Sequence, residues 1–150
     1  MTAFLTKHFD TLTPLELHRI LQLRSAVFVV EQACVFLDAD DHDLRAVHIF
    51  PEARADRPLE GCVRVFPPGV TFPEASFGRL ATSLAARRTG IGRALVTAAL
   101  AWIDGRGYGP TQIGAQAYLE HFYREYGFVP VGEPYVEDGI PHLHMLRPGA

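Results

Sequence analysis

A turn rich in arginine and glycine is the place where this chain could bind an anion. Arg87, Arg88 and Arg93 surround Gly90 and Gly92, and an apolar pattern with helical spacing follows directly. A helix N-terminus exposes unpaired backbone N–H groups and the positive end of the helix dipole, and glycine lets an anion approach that backbone closely. The turn is therefore a candidate cradle for a pyrophosphate group.

The best-known phosphate-binding motifs do not describe this turn. A P-loop would need a lysine followed by Ser or Thr after its last glycine, whereas Arg93 and Ala94 follow Gly92 here. A Rossmann fingerprint would need a third glycine where Leu95 stands. An ordinary strand-to-helix turn that ends on glycine would also explain these residues, so the turn by itself leaves both interpretations open.

The elements that would position this turn alternate between strands and helices. Apolar runs with period two indicate strands, and apolar residues at three- and four-residue steps indicate helices. The predicted order is β-α-β-β-β-α-β-α-β-β, which indicates a mixed α/β fold with a central sheet flanked by helices, in one domain of residues 1–150. The predicted strands are 3–9, 46–50, 59–66, 76–82, 111–115, 128–131 and 142–146, and the helices are 13–32, 93–102 and 118–126.

Composition excludes several classes of protein. The chain has 150 residues, 48% of them hydrophobic, and a net charge of −3, so we expect no nucleic-acid partner. It lacks an apolar run of about 20 residues, and its first residues do not resemble a signal peptide, so we expect no membrane span and a cytoplasmic location. Cys34 and Cys62 form no Cys-x-x-Cys pair, which suits a reducing compartment.

Aspartates cluster in the loop that follows the first predicted helix. An EF-hand calcium loop would need a glutamate at its twelfth position, and counting from Asp38 places Ile49 there, so we predict no metal site. The loop is either a solvated acidic surface or part of a negative rim, with Glu31, Glu137 and Asp138, that attracts a cationic amine. Its acidic residues are Asp38, Asp40, Asp41 and Asp43.

The spacing Arg87-x-x-Gly90-x-Gly92 resembles the [Gln/Arg]-x-x-Gly-x-[Gly/Ala] signature of the GNAT superfamily of N-acetyltransferases. In that superfamily the turn binds the pyrophosphate of acetyl-CoA. Residues 117–128 are similar to the last helix of the same superfamily, whose tyrosine lies beside the CoA sulfur, and Tyr123 occupies that position. Segments 23–32, 114–117 and 137–142 further resemble the ElaA-like subgroup, so the resemblance covers nearly the whole chain.

The resemblance implies an enzyme that transfers the acetyl group of acetyl-CoA to a small-molecule or peptide amine by direct attack, without a metal. It also leads us to consider a homodimer. Within the ElaA-like segments, the candidate substrate-binding residues are Arg24, Gln32, Asp138 and His142. The residues implied for binding acetyl-CoA are Leu80, Ala81, Thr82, Arg87, Arg88, Thr89, Gly90, Ile91, Gly92, Arg93, Phe122 and Tyr123.

Acetyl transfer needs a base for the amine, a polarised thioester carbonyl and a proton for the leaving thiolate. On the resemblance, Tyr123 is the candidate general acid, and the alternative is a packed core tyrosine. Backbone N–H groups of residues 80–82 could polarise the carbonyl if this strand splays from its neighbour. Glu31, His48 and His142 remain open as bases, and a mid-strand histidine such as His48 is often a packed core residue.

Two other functions remain open at this point. The chain could be a non-catalytic module that binds acyl-CoA. The pattern Arg24-x-x-Val27-Phe28, followed by the acidic loop, also resembles acyl-homoserine-lactone synthases. This chain differs from that family in having the complete glycine turn and Tyr123. Neither resemblance specifies the acceptor amine.

Overall fold

The computed structural model describes residues 3–149 as seven strands and three α-helices in the predicted order. Short 3₁₀ turns lie between several of them, and a π-helical turn, Ser25–Glu31, extends the first helix. The elements are β1 (Phe4–His8), α1 (Pro14–Arg24), β2 (Val47–Pro51), β3 (Gly61–Phe66), β4 (Ser76–Thr82), α2 (Ile91–Gly105), β5 (Thr111–Gln116), α3 (Glu120–Arg124), β6 (Val129–Glu137) and β7 (Ile140–Arg147). The mixed α/β prediction is confirmed. Every helix in the described chain is too short or too polar to span a bilayer.

The strands form two antiparallel sheets, with orders β1-β2-β3-β4 and β5-β7-β6. The sheets meet at a parallel bridge between Ala75 and Thr111, where the Gln112 N–H donates to the Ala75 carbonyl oxygen over 2.9 Å. Beyond this bridge β4 and β5 separate, as expected for a sheet that splays. The predicted mixed sheet is thus two antiparallel sheets joined by a short parallel contact, with an opening between β4 and β5.

The first helix has the start that its sequence predicts. Pro14 occupies the first turn, the Glu16 N–H donates to Thr13 Oγ1 over 3.1 Å, and the Thr13 N–H donates to Glu16 Oε1 over 2.8 Å. This capping box satisfies donors that the helix itself cannot. After Arg24 the helix widens into the π-helical turn, a geometry often found at functional sites. The widened turn carries Val27 and Glu31 to the opening between the sheets.

Two apolar clusters cover the two faces of the four-stranded sheet. On one face α2 buries Leu95, Ala99 and Ile103 together with residues of β2, β3 and β4. On the other face α1 buries Ile20 and Leu23 together with further residues of the same strands. Because both faces are covered, all residues of β2 and β3 are buried. The sheet is therefore a rigid support for whatever β4 presents to the opening.

A β-bulge interrupts β4 beside the opening. Cys62 pairs with Ala81, whereas Arg64 pairs with Gly78, so β4 carries one more residue than β3 between these two pairs. Arg79 lies within the bulge with a φ of 50°, a left-handed conformation that is unusual for a residue with a side chain. Bulges are common next to active sites because they redirect the strand.

Candidate active site

The opening between β4 and β5 is a cleft of about 480 Å³. Its walls come from the π-helical turn, β4, the start of α2, β5, α3 and the turn between β6 and β7. Apolar residues form much of its interior, whereas charged residues lie at several points of its wall. The lining includes Val27, Phe28, Phe77, Gly78, Leu80, Ile113, Gly114, Leu119, Phe122 and Tyr123.

Tyr123 lies on the cleft wall with only 6% of its surface exposed. Its ring packs against those of Phe122, Phe77 and Phe128, with centroid separations of 5.0, 6.1 and 6.0 Å. Burial raises the pKa of Tyr123, because the charged phenolate is poorly solvated there. The phenol is therefore protonated at neutral pH, as a proton donor must be before it acts.

The arginine–glycine turn lies at another part of the same cleft. Gly90 has a φ of 88° and precedes the first residue of α2, whose N-terminal N–H groups therefore open at this turn. Gly92 lines the cleft, and a Cβ at Gly92 would lie 3.7 Å from the Thr82 methyl carbon. Arg87 also lines the cleft and donates to the Thr82 carbonyl oxygen over 3.1 Å. Backbone donors and a guanidinium thus converge where an anion could bind.

Glu31 and Arg87 form a two-pronged ion pair across the cleft wall. Arg87 Nη1 and Nη2 donate to Glu31 Oε2 and Oε1, each over 2.6 Å. The hydrogen bond from Arg87 lowers the pKa of Glu31, so this carboxylate is ionised and a weak proton acceptor. The prediction of Glu31 as a general base does not fit this geometry. The side chains remain 34% and 39% exposed for Arg87 and Glu31, respectively.

Comparison with known proteins assigns this fold to a family. Residues 53–147 match the family model of an acetyltransferase (GNAT) domain, which is more than half of the chain. The chain belongs to the GNAT acetyltransferase family. The resemblance drawn from the glycine turn and Tyr123 is thereby confirmed at the level of the family.

Individual relatives in the GNAT family match over nearly the whole chain. Protein ElaA of Escherichia coli is 37% identical over 145 residues, which cover 93% of this chain and 92% of that protein. The UPF0039 protein sll0451 of Synechocystis is 42% identical over 142 residues, 93% of this chain and 91% of that protein. An acyl-CoA N-acyltransferase structure from Pseudomonas aeruginosa is 38% identical, with a TM-score of 0.87 over 97% of this chain and 99% of that one. The ElaA-like resemblance is confirmed.

The GNAT fold brings most of the predicted site residues together, although they come from distant segments of the sequence. Residues from the first helix and its extension, from β4, from the glycine turn, from α3 and from β7 share the cleft. Those that line it are Glu31, Gln32, Leu80, Thr82, Arg87, Gly92, Phe122, Tyr123, Asp138 and His142. Gln32 and Gln116 pair through their side-chain amides over 3.2 and 3.4 Å, which ties the helix extension to β5.

The remaining residues predicted for cofactor binding do not line the cleft. Ala81 packs in the core beneath α1, and Ile91, the first residue of α2, packs in the core on the other face of the sheet. Arg93 pairs with Glu125 on the surface. At these positions, contact with CoA would involve the main chain of the turn or the exposed side chains beside it. The residues concerned are Ala81, Arg88, Thr89, Gly90, Ile91 and Arg93.

The prediction of His48 as a base is wrong. His48 lies in β2 with 2% of its surface exposed, and its Nε2 faces the Asp43 carbonyl oxygen at 3.1 Å. Burial lowers the pKa of His48 because the imidazolium would be poorly solvated. The side chain does not reach the cleft, and it acts as the packed core histidine that was the alternative interpretation.

The prediction that Arg24 contacts substrate is also wrong. Arg24 is only 1% exposed. Its Nε lies 2.9 Å from Asp38 Oδ2, and its Nη1 lies 2.7 Å from Asp43 Oδ1. The guanidinium is therefore fully engaged by the loop for which the sequence predicted an acidic surface.

That loop is not a negative rim, because arginines from three elements neutralise it. Arg64 Nη1 lies 2.6 Å from Asp40 Oδ1, and Arg79 Nε lies 2.8 Å from Asp38 Oδ1. Burial opposes ionisation of Asp43, but the hydrogen bonds and charges of its arginine partners outweigh burial and lower the pKa of Asp43 to about 2. We name these residues the buried charge cluster: Arg24, Asp38, Asp40, Asp43, Arg64 and Arg79.

Sequence reasoning missed several residues of the cleft. Arg79 belongs to the bulge and lines the cleft, but its position there depends on a register shift that no pattern of residues predicts. Gly114 lines the cleft on β5, where a Cβ would lie 2.7 Å from the Tyr135 hydroxyl oxygen. A glycine inside a strand indicates such a close approach, so Gly114 was the one detectable signal.

Proposed function

We propose that this protein transfers the acetyl group of acetyl-CoA to a primary amine of a small molecule or peptide, by direct attack of the amine on the thioester. The observation that supports this most strongly is the shared cleft. The N-terminus of α2, which could bind an anion, and a buried, protonated Tyr123 both lie on the walls of the same opening between β4 and β5. Membership of the GNAT family supports the use of an acyl-CoA.

The pyrophosphate of CoA would bind where Arg87 and Gly92 meet the N-terminus of α2. An anion there would be attracted by the backbone N–H groups and by the guanidinium, and it would compete with Glu31 for Arg87. Because pyrophosphate presents more negative charge than a carboxylate, the exchange of partners is favourable. Glu31 would then be free to interact with a cationic acceptor.

The thioester would lie between β4 and β5. Beyond the bridge at Ala75, the described part of β4 pairs with β3 alone, so its other edge is free to offer N–H groups near Leu80 to a developing oxyanion. Tyr123 would donate its proton to the leaving sulfur.

Direct attack is favoured over an acyl-cysteine intermediate. Cys34 lines the cleft, but its Sγ faces two carbonyl oxygens, those of Gln32 at 3.5 Å and Asp138 at 3.4 Å, rather than a basic side chain. A nucleophilic cysteine needs a neighbour that stabilises its thiolate. Cys62 is buried in the core, which raises its pKa to about 12 and keeps it a thiol. The free thiols also suit a cytoplasmic location.

We propose that the acceptor is cationic before it reacts, although fewer acidic residues support this than the sequence suggested. With the buried charge cluster neutralised, the acidic residues at the cleft are Glu31, Glu137 and Asp138. Glu137 is largely exposed at the turn between β6 and β7. An ammonium group arriving from solvent would meet these carboxylates first.

The test is release of CoA thiol from acetyl-CoA across a panel of amines, polyamines and peptides. Turnover with at least one amine, absent without protein, is the expected result. Tight binding of acetyl-CoA by calorimetry, with no thiol release from any amine, would indicate a non-catalytic binding module instead. Turnover only with long acyl chains and S-adenosylmethionine would indicate an acyl-homoserine-lactone synthase.

A further inference from the structure

His142 has a fixed proton arrangement on the cleft wall. It lies on β7, the central strand of the three-stranded sheet, with its side chain buried and facing the cleft. Its Nδ1 is 2.7 Å from the Ile140 carbonyl oxygen. Because a carbonyl oxygen can only accept a hydrogen bond, Nδ1 must carry the proton. In the neutral ring Nε2 is therefore unprotonated and available to accept a proton.

The ring is held in this orientation from more than one side. The Tyr135 ring stacks on it with a centroid separation of 5.5 Å and an angle of 26° between planes. The nearest carboxylate oxygen, Glu137 Oε2, lies 3.7 Å from Nε2, which is too long for a hydrogen bond.

The other candidate bases are less suitable. His48 is in the interior, and Glu31, whether bound by Arg87 or released from it, is a carboxylate whose side chain is 39% exposed. Glu137 is exposed, and an exposed carboxylate is a much weaker base than imidazole. His142 alone among these candidates combines a cleft position, a suitable tautomer and an orientation fixed by neighbours.

We propose that His142 is the general base of the transfer reaction, which deepens the proposed function and rests on it. Nε2 takes a proton from the acceptor ammonium, directly or through one water. The nitrogen lone pair then forms the C–N bond, the C–S bond breaks with its electron pair on sulfur, and Tyr123 supplies the proton that makes the thiol. The amine loses its second proton to solvent, and the imidazolium and the phenolate return to their starting forms by proton exchange with solvent.

The groups that face His142 set the expected pH dependence. Tyr135 and Glu137 face it from β6, and Tyr118 lies in the 3₁₀ turn that packs against β7. The β5 residues contribute no titratable group, and His144 follows two positions along β7. Glu137 is the negative charge nearest to the ring. Neutral imidazole is the active form in this scheme, so acid should lower kcat/KM of the wild type but not of a protein that lacks this ring.

The test compares pH profiles of kcat/KM for the wild type and His142→Gln, with one amine acceptor throughout. We expect the variant to lose on the order of 10²–10⁴-fold in rate and to lose the acid limb that imidazole produces. Added imidazole should restore part of the rate. Calorimetry should show unchanged acetyl-CoA affinity. His144→Gln is the matched control, on the same strand and outside the cleft lining, and should keep the acid limb.

A folded His142→Gln protein that binds acetyl-CoA and keeps the wild-type rate and acid limb would overturn the proposal. If the variant does not fold, nitrogen chemical shifts of the wild-type imidazole decide instead, because a proton found on Nε2 of the neutral ring would also overturn it. A wild-type protein that releases no CoA with any amine would refute the proposed function, and the role of His142 with it. If instead the wild type is active and His142→Gln is equally active, only the role of His142 is refuted.

Discussion

Two groups of arginine–carboxylate pairs differ in what surrounds them. In the buried charge cluster, Arg24 and Asp43 are joined over 2.7 Å, and their side chains are 1% and 7% exposed. At the cleft, Arg87 and Glu31 are joined over 2.6 Å but are 34% and 39% exposed. The contact distances are alike, whereas the access of water and ligands is not.

This difference separates a structural role from a binding role. The fully buried charges of the cluster, such as Arg24 and Asp43, cannot exchange partners, because each would be left unpaired in the interior. It is connected to the cleft through Arg79, which pairs with Asp38 and carries the left-handed backbone of the β4 bulge. The cluster thus holds the bulge in place. Arg87, by contrast, can release Glu31 to water and accept an incoming anion.

The largest expected effect is on folding stability. Asp43→Asn leaves Arg24 and Arg64 without a full partner in the interior, so the free energy of unfolding should fall by about 3–5 kcal/mol. Glu31→Gln breaks an exposed pair and should change it by less than about 1 kcal/mol. Denaturant unfolding of both variants measures the contrast.

Asp41→Asn is the control for a general effect of charge in the loop, because Asp41 is exposed in the same 3₁₀ turn. It should behave like Glu31→Gln. Equal losses for Asp43→Asn and Glu31→Gln would show that burial does not distinguish the two groups.

The second effect is a dependence of stability on pH. Because the folded pKa of Asp43 is lowered to about 2, its ionised form is stabilised in the folded state, and this contribution is fully present above the unfolded value of about 4. It should be lost as the pH falls from about 5 towards 2, at a cost on the order of 2 kcal/mol. Thermal unfolding of the wild type and Asp43→Asn over this range tests it. A wild type as insensitive to acid as the variant would contradict the assignment.

The smallest effect expected is on the affinity for acetyl-CoA. Arg87→Gln should weaken binding by roughly tenfold, because it removes a charged hydrogen bond to the pyrophosphate, with little change in stability. Glu31→Gln should bind at least as tightly as the wild type, because it removes the competing carboxylate. Calorimetry at fixed ionic strength gives both values. Weaker binding by Glu31→Gln would show that no competition exists.

The sequence predicted what local patterns determine. The order of elements, the capping box at Thr13, the glycine turn and Tyr123 all depend on neighbouring residues or on short motifs. The pairing of Arg24 with Asp38 and Asp43 spans 14 and 19 residues, and no spacing rule connects them. The sequence therefore indicated an acidic surface at these aspartates, although the fold places Asp38, Asp40 and Asp43 against arginines.

The prediction of His48 as a base was wrong for a related reason. A strand covered on both faces has no polar alternation, so the sequence could not tell which face of β2 meets the cleft. In fact neither face does, because α1 and α2 cover the sheet. His142 was recognisable as a candidate, but its tautomer depends on the Ile140 carbonyl and could come only from the structure.

The central claim is that the cleft performs acyl transfer with Tyr123 as the proton donor to sulfur, and Tyr123→Phe tests it most directly. The substitution keeps the ring among Phe77, Phe122 and Phe128 and removes only the hydroxyl. With the best acceptor found, kcat should fall by roughly 10²–10⁴-fold while acetyl-CoA affinity is unchanged, because the proton is needed only as charge develops on sulfur. A folded variant with the wild-type kcat, when chemistry limits the rate, would contradict this and leave Tyr123 a core aromatic residue.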